Sequence, residues 1–189
     1  MLEKRGCQMS DIHDPYVAIL ERHKDWIKID PARSLVGMFG IQCGPGWAGL
    51  VSKLFDDIAG EFRPHDLMFS LLQITEKSGA LHICCDIPHS FGAALVVRDA
   101  IDLALMRSTQ TCRVCGSRGR LTLTRGSLGT LCADHTTARS KLVGSGEPDD
   151  DFIEDPFRLG FWRLTYDPDT DVLTRTRITE AEYLEGTKP

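Results

Sequence analysis

Long apolar runs are missing from this chain. The longest charge-free stretch of its 189 residues, 34–52, is broken by Gln42, Pro45 and five glycines, so no run of the roughly 20 predominantly apolar residues that a membrane-crossing helix needs is available. The first ten residues, MLEKRGCQMS, carry charge but no apolar segment of the kind that marks a secretory signal. Aromatic residues are scarce at 7%, and residues 107–141 contain no Phe, Tyr or Trp at all. That region therefore lacks the stacking platforms of a single-strand nucleic-acid binder. There is no internal repeat and no phosphate loop: Gly44 and Gly46 are not followed by Lys-Ser/Thr and read as turn glycines. At 42% hydrophobic and 26% charged, the composition is that of a globular protein. The expected compartment is cytoplasmic, where Cys7, Cys43, Cys84 and Cys85 stay reduced thiols.

Against these absences stands one strong pattern. Cys112, Cys115, Cys132 and His135 form a C-x2-C-x16-C-x2-H array, two short pairs able to close on one ion. Thiolate sulfur and imidazole nitrogen in a set of four match a structural, tetrahedral zinc site, so one structural Zn2+ is expected. Cys115-Gly116 allows a tight knuckle, 118–131 reads as a hairpin turning at Gly126, and Cys132 to His135 would open a short helix. Knuckle, hairpin and helix in that order make a treble-clef-like module.

Charge is partitioned along the chain. Residues 107–141 carry seven Lys/Arg against Asp134 alone, a net +6, whereas 142–189 carry 5 basic against 12 acidic residues, a net −7. A basic zinc module is embedded in an acidic protein.

The other elements follow from periodicity and punctuation. A helix is expected from Asp14-Pro15 to Asp30-Pro31, with Tyr16, Ile19, Leu20, His23 and Ile27 on one face. The SLVGMF stretch (34–39) reads as a strand, and Cys43-Gly-Pro-Gly-Trp47 as a turn. Trp47, Leu50, Val51, Leu54, Phe55 and Ile58 then define an amphipathic helix expected to stop at Gly60. Residues 67–75 and 80–87 flank a hairpin turn at 76–79, and a long helix runs from a Ser90 cap to about Arg107, straight into the zinc array. Beyond an acidic stretch, Phe157–Tyr166 and Val172–Ile178 read as strands, and Thr179-x-x-Glu182 as a capping box opening a last helix.

The expected fold class is α+β, a small, mainly antiparallel sheet packed by helices with a treble-clef-like zinc module. Its organisation reads as an α+β core (1–110), the zinc module (111–143), an acidic linker (144–151) and a separable ββα piece (152–189).

The order Cys-Gly-x-Gly-Trp (43–47), Glu76-Lys77-x-Gly-x-Leu81, Thr111-Cys-x2-Cys-Gly116 and Thr130-Leu-Cys-x2-His135 resembles a group of small uncharacterised proteins of bacteria and their phages. The resemblance spans roughly 35–138. In that group the hairpin turn reads Glu-Lys-Phe-Gly-Gly-Leu, and here Ser78 and Ala80 stand for the Phe and the second Gly. The resemblance implies the fold, the zinc module and a phage or mobile-element setting, and it names no activity.

The basic module has two leading uses. Arg113, Arg118, Arg120, Arg125, Arg139 and Lys141 are the candidate contacts, either for a protein partner or for the phosphate backbone of duplex nucleic acid. The expectation is a non-catalytic, zinc-stabilised binding protein acting through a protein partner, with duplex nucleic-acid binding as the alternative. The module as a mere staple is a third reading. An HNH-like nuclease is a further one, disfavoured because His135 is spent as a ligand and no second His or Asn follows at helical spacing. The cluster His82, Cys84, Cys85, Asp86 and His89 and the loop thiol Cys43 are weighed as a second metal site or a nucleophile against simple packing. No catalytic residue, small-molecule substrate or membrane contact is assigned. Trp47 and Trp162 read as core residues.

Overall fold

A cluster of aromatic rings organises the amino-terminal half. Trp26, Phe55, Phe62 and Phe69 meet at centroid separations between 5.8 and 6.4 Å, mostly edge to face, the arrangement the ring quadrupole favours. The computed structural model describes residues 14–86, 90–144 and 150–187. The fold is α+β, with five α-helices and three three-stranded sheets among these residues. Eight of the nine strands have an antiparallel neighbour, but they divide into three small sheets rather than one.

Helix α1 (Pro15–Arg22) starts as expected, with the Asp14 carboxylate accepting from the Tyr16 amide. It ends eight residues earlier than its periodicity suggests. His23 turns inward, accepts from Trp26 Nε1 and is fully buried. Ile27–Lys28 then leaves the helix to form β1, parallel to the start of β2 (Phe69–Lys77). The SLVGMF stretch is a helix, not a strand: α2 (Leu35–Phe39) is capped by Ser34, whose hydroxyl accepts from Gly37 N and donates to Leu72 O. Only Val36 of that helix is buried.

Helix α3 (Ala48–Phe62) carries the stripe read from the sequence, with Val51, Phe55 and Ile58 at 0% exposure. It runs through Gly60 instead of stopping there. A glycine inside a helix costs about 1 kcal/mol, and burying Phe62 one turn further offsets that by about 2–3 kcal/mol.

Strand β3 (Ala80–Asp86) pairs antiparallel with β2 across a two-residue turn in which Ser78 (φ 53°) and Gly79 (φ 83°) are both left-handed. Both positive angles match the right-handed twist of a hairpin. Helix α4 (Phe91–Ser108) packs along α3 and across β3. Ser90 occupies its cap position but makes no side-chain capping bond. At the far end, Ser108 Oγ accepts from Leu81 N, fixing the point where the chain enters the metal-ligand region.

The carboxy-terminal piece has one more strand than expected. β7 (Asp151–Asp155), β8 (Gly160–Asp167) and β9 (Val172–Ile178) form an antiparallel meander. Asp151, assigned to the linker by its charge, is the first residue of β7, and linker positions 145–149 lie outside the described residues. Helix α5 (Glu180–Gly186) opens with the complete Thr179/Glu182 capping box. The sheet docks on α4 through ion pairs. Arg158 joins Asp155 (2.7 Å) to Asp99 (2.5 Å), and Arg175 reaches Asp99 (2.9 Å) and Asp102 (3.2 Å). Burial pushes the Asp102 carboxyl up, while Arg98 and Arg175 favour its charge. Asp102, the buried end of this set, is shared by Arg98 and Arg175, so loss of either arginine leaves it a partner.

Candidate metal centre

The chain leaves α4 through Thr109 and reaches Cys112 within four residues. A knuckle forms there: Cys112 N donates to Ser117 O (2.7 Å), Gly116 N donates to Cys112 O (2.8 Å), and Gly116 takes φ 79°. Strands β4 (Arg120–Thr124) and β5 (Ser127–Leu131) follow as the expected hairpin, turning at Arg125 (φ 52°) and Gly126 (φ 83°). Cys132 then caps a single 3-10 turn, Ala133–His135.

The expected short α-helix does not form at this point. Thr137 and Ser140 hydrogen-bond to each other, and Ser140–Leu142 joins the sheet as β6, antiparallel to β4. Hydroxyl side chains that satisfy nearby backbone groups compete with helix formation in this way. The module keeps the knuckle and hairpin of a treble clef and replaces its helix with a third strand.

The four side chains converge. One ligand atom from each of Cys112, Cys115, Cys132 and His135 lies within 4.8 Å of every other. Cys115 Sγ sits 3.7 Å from Cys132 Sγ, and His135 Nδ1 lies 3.6 Å from Cys112 Sγ and 3.2 Å from Cys132 Sγ. Tetrahedral bonds of about 2.3 Å to sulfur place ligand atoms roughly 3.5–3.8 Å apart, so the set could hold one metal ion. Hydrogen bonds from Ser117 lower the Cys115 thiol to about 6, towards the thiolate a metal binds, whereas burial raises that of Cys132. A bound cation would deprotonate both thiols.

Two loops of the core clasp this centre, a role the sequence did not disclose. The Cys43–Trp47 turn lies directly on the knuckle. Gly46 N donates to Arg113 O (2.8 Å), and Trp47 Nε1 donates to Thr111 O (2.7 Å). A Cβ on Gly46 would stand 2.3 Å from Cys112 O and 2.7 Å from Cys115 N, so only glycine fits. The β2–β3 turn holds the other side. Glu76 receives both Arg113 contacts (2.7 and 2.8 Å), and Thr130 Oγ1 donates to Gly79 O (2.7 Å). A Cβ on Gly79 would stand 2.3 Å from Leu121 Cδ1. The two core motifs that precede the ligand array in the sequence are thus its supports.

The six candidate cations do not share one surface. Arg113 is engaged by Glu76, and Arg118 by Asp169 of the β8–β9 turn (2.9 Å). Arg120, Arg125, Arg139 and Lys141 are exposed and make no ion pair among the described residues. Lys141 stands opposite Leu123 in register, so it shares that residue's face and not the face of Arg120 and Thr122. Arg118 and Arg120 do come together, lining a groove of about 390 Å³ with Leu131, Ala133 and Leu142.

The other weighed thiols sit differently. Cys43 Sγ contacts Tyr16 Oη (3.1 Å), and burial pushes its thiol up to about 11, away from a reactive thiolate. Cys85 packs against the core and is raised by burial to about 12. His82 Nδ1 and Cys84 Sγ lie 3.8 Å apart, but Asp86 does not complete a ligand group with them. Cys7 and His89 lie outside the described residues. Compared with known proteins, the chain matches no family model, no curated protein and no solved structure.

Proposed function

We propose that this is a non-catalytic binding protein whose metal is one structural zinc ion and whose outer zinc-module face docks a protein partner. Zinc suits three thiolates and an imidazole at tetrahedral spacing. The groove lined by Arg118 and Arg120 carries the partner reading, because it combines apolar side chains with guanidinium groups. Apolar side chains set among charged ones are the makings of a protein interface. A duplex backbone calls instead for several free cations on one surface. Here Arg113 and Arg118 are engaged within the chain, and Lys141 faces away from Arg120. His135 contributes Nδ1 to the ligand set, which supports a structural rather than a nuclease role. Reduced thiols favour a cytoplasmic setting, and the resemblance to small bacterial and phage proteins favours a mobile-element one.

The test is a selection of random displayed peptides on zinc-loaded protein, run beside salt-titrated binding to duplex DNA. The expected outcome is peptide enrichment that Leu142→Glu and Arg120→Glu abolish. Salt-steep duplex binding that declines with Arg120→Ala, Arg125→Ala and Arg139→Ala, without peptide enrichment, would establish the nucleic-acid reading instead.

A further inference from the structure

The ion pair between Arg118 and Asp169 joins two surfaces far apart in the chain, the basic zinc module and the acidic β8–β9 turn. Its two ends are unequal in kind to the neighbouring pair. Arg118 and Asp169 are both open to solvent, at 62% and 76% side-chain exposure. Two residues on, Asp171 is clamped: Arg107, with only 9% of its side chain exposed, reaches it at 2.6 and 2.5 Å, and Tyr166 Oη donates to it at 2.9 Å. The turn between them is held by its own side chain, since Asp167 Oδ1 accepts from Asp169 N (2.9 Å) and Thr170 N (3.4 Å). The turn is therefore anchored at Asp171 while Asp169 is held out towards Arg118, a residue that lines the groove.

We propose, building on the docking reading above, that the groove takes an extended acidic peptide of its partner, and that Asp169 is a built-in competitor for the carboxylate position on Arg118. Charge favours such an occupant: the groove lining carries Arg118 and Arg120 and no acidic residue. The chemistry is already on display within the chain, a carboxylate seated on Arg118. Alternating acidic and apolar residues satisfy the site best. Acidic side chains meet Arg118 and Arg120, and apolar ones cover Leu131, Ala133 and Leu142. An exposed ion pair is worth at most about fivefold in an equilibrium constant, so Asp169 tunes binding and yields to a ligand that makes several contacts. The anchoring pair at Asp171 stays in place.

The experiment uses the full zinc-loaded chain and a fluorescently labelled dodecapeptide of alternating Glu and Leu, with a Gln/Leu version and a 20-base-pair duplex as comparators. Asp169→Asn is expected to tighten binding of the acidic peptide about two- to fivefold and to leave the Gln/Leu peptide unchanged. Arg118→Ala should weaken the acidic peptide and cancel the gain from Asp169→Asn in the double variant. A gain that survives Arg118→Ala, or no gain at all, overturns the competitor. If binding then still depends on Leu142 and Arg120, the docking reading stands and only this refinement fails. No binding of the acidic peptide, or a larger Asp169→Asn gain for the duplex than for the peptide, overturns the acidic-peptide occupant.

Discussion

The core and the metal module are held together by different physics, although they are contiguous in the chain. Around α3, Trp47, Val51, Phe55, Ile58, Phe62, Phe69 and Ile74 all sit at 0% exposure. Between residues 111 and 144, the only buried hydrophobic residues are Cys112 and Cys132, and Leu123 and Leu142 are exposed. A segment of this size cannot bury enough apolar surface to order itself. A metal held by Cys112, Cys115, Cys132 and His135 would supply the difference, since metal-binding free energy becomes folding free energy. The carboxy-terminal sheet shows a third solution, docking on α4 through Arg158 and Arg175 on Asp99 and Asp102. One chain thus combines apolar burial, a side-chain cluster able to hold a metal ion, and paired charges in sequence.

The largest test of this contrast is removal of the metal. Chelation, or Cys112→Ser, should release most of the module's order, since structural zinc in small domains is worth about 10–16 kcal/mol. Hydrogen exchange should then show protection lost across β4, β5 and β6 and retained in α3. Loss in both regions would show that the core also depends on the metal. Elemental analysis of the reduced protein should find one zinc per chain.

The converse experiment truncates the core. Phe55→Ala should destabilise the protein by about 3–5 kcal/mol, read from the denaturant midpoint of tryptophan fluorescence. The zinc content of the remaining folded fraction should be unchanged. A fall in metal content without a fall in stability would reverse the assignment of roles.

A smaller effect lies where the regions meet. Gly46→Ala places a methyl group within 2.3 Å of Cys112 O, a backbone atom that cannot swing aside. The expected outcome is a loss of about 1–3 kcal/mol, appearing as faster zinc transfer to a chromogenic chelator. Gly49→Ala, which meets nothing within 4 Å, serves as the control and should leave transfer unchanged.

The smallest effect separates core and module by pH. Burial pushes the His23 imidazole below its ordinary 6.5, with Asp56 opposing. The unfolded chain takes up a proton near pH 6.5 that the folded core refuses. Stability supplied by this group is therefore complete above about pH 6.5 and declines below it, with a slope of at most one proton. His23→Gln should flatten the decline of core stability between pH 7.5 and 5.5. It should not alter the acid release of zinc, which reflects protonation of the ligands. An unchanged slope in the variant would place the pH sensitivity elsewhere.

Some of this architecture was legible in advance. The ligand set needed only spacing, because each pair lies within a single turn of chain and closes by local geometry. The stripe of α3, the hairpin turns at Ser78-Gly79 and Arg125-Gly126, and the Thr179/Glu182 box are equally local. The errors share a different cause. Residues 34–39 became a helix because Ser34 finds Leu72 O, 38 positions away, and α1 ended early because His23 is drawn under Trp26 and Phe55. Strand β7 was hidden because Asp151 reads as linker by charge, yet pairs with Leu164.

What the sequence determined alone was therefore the chemistry: four residues able to hold one metal ion, a basic module in an acidic chain, and the elements whose signals repeat within a few residues. What only the tertiary structure decided was use and placement. It made Gly44, Gly46 and Trp47 a cradle for the knuckle, with Trp47 bonded to a carbonyl 64 residues away. It engaged Arg113 and Arg118 with carboxylates from two other parts of the chain and left Arg120 free beside a groove. Spacing encodes contacts made within a turn or two, whereas close approach between distant segments depends on how sheets and helices stack. That stacking is set by the burial of the whole core rather than by any one stretch of residues.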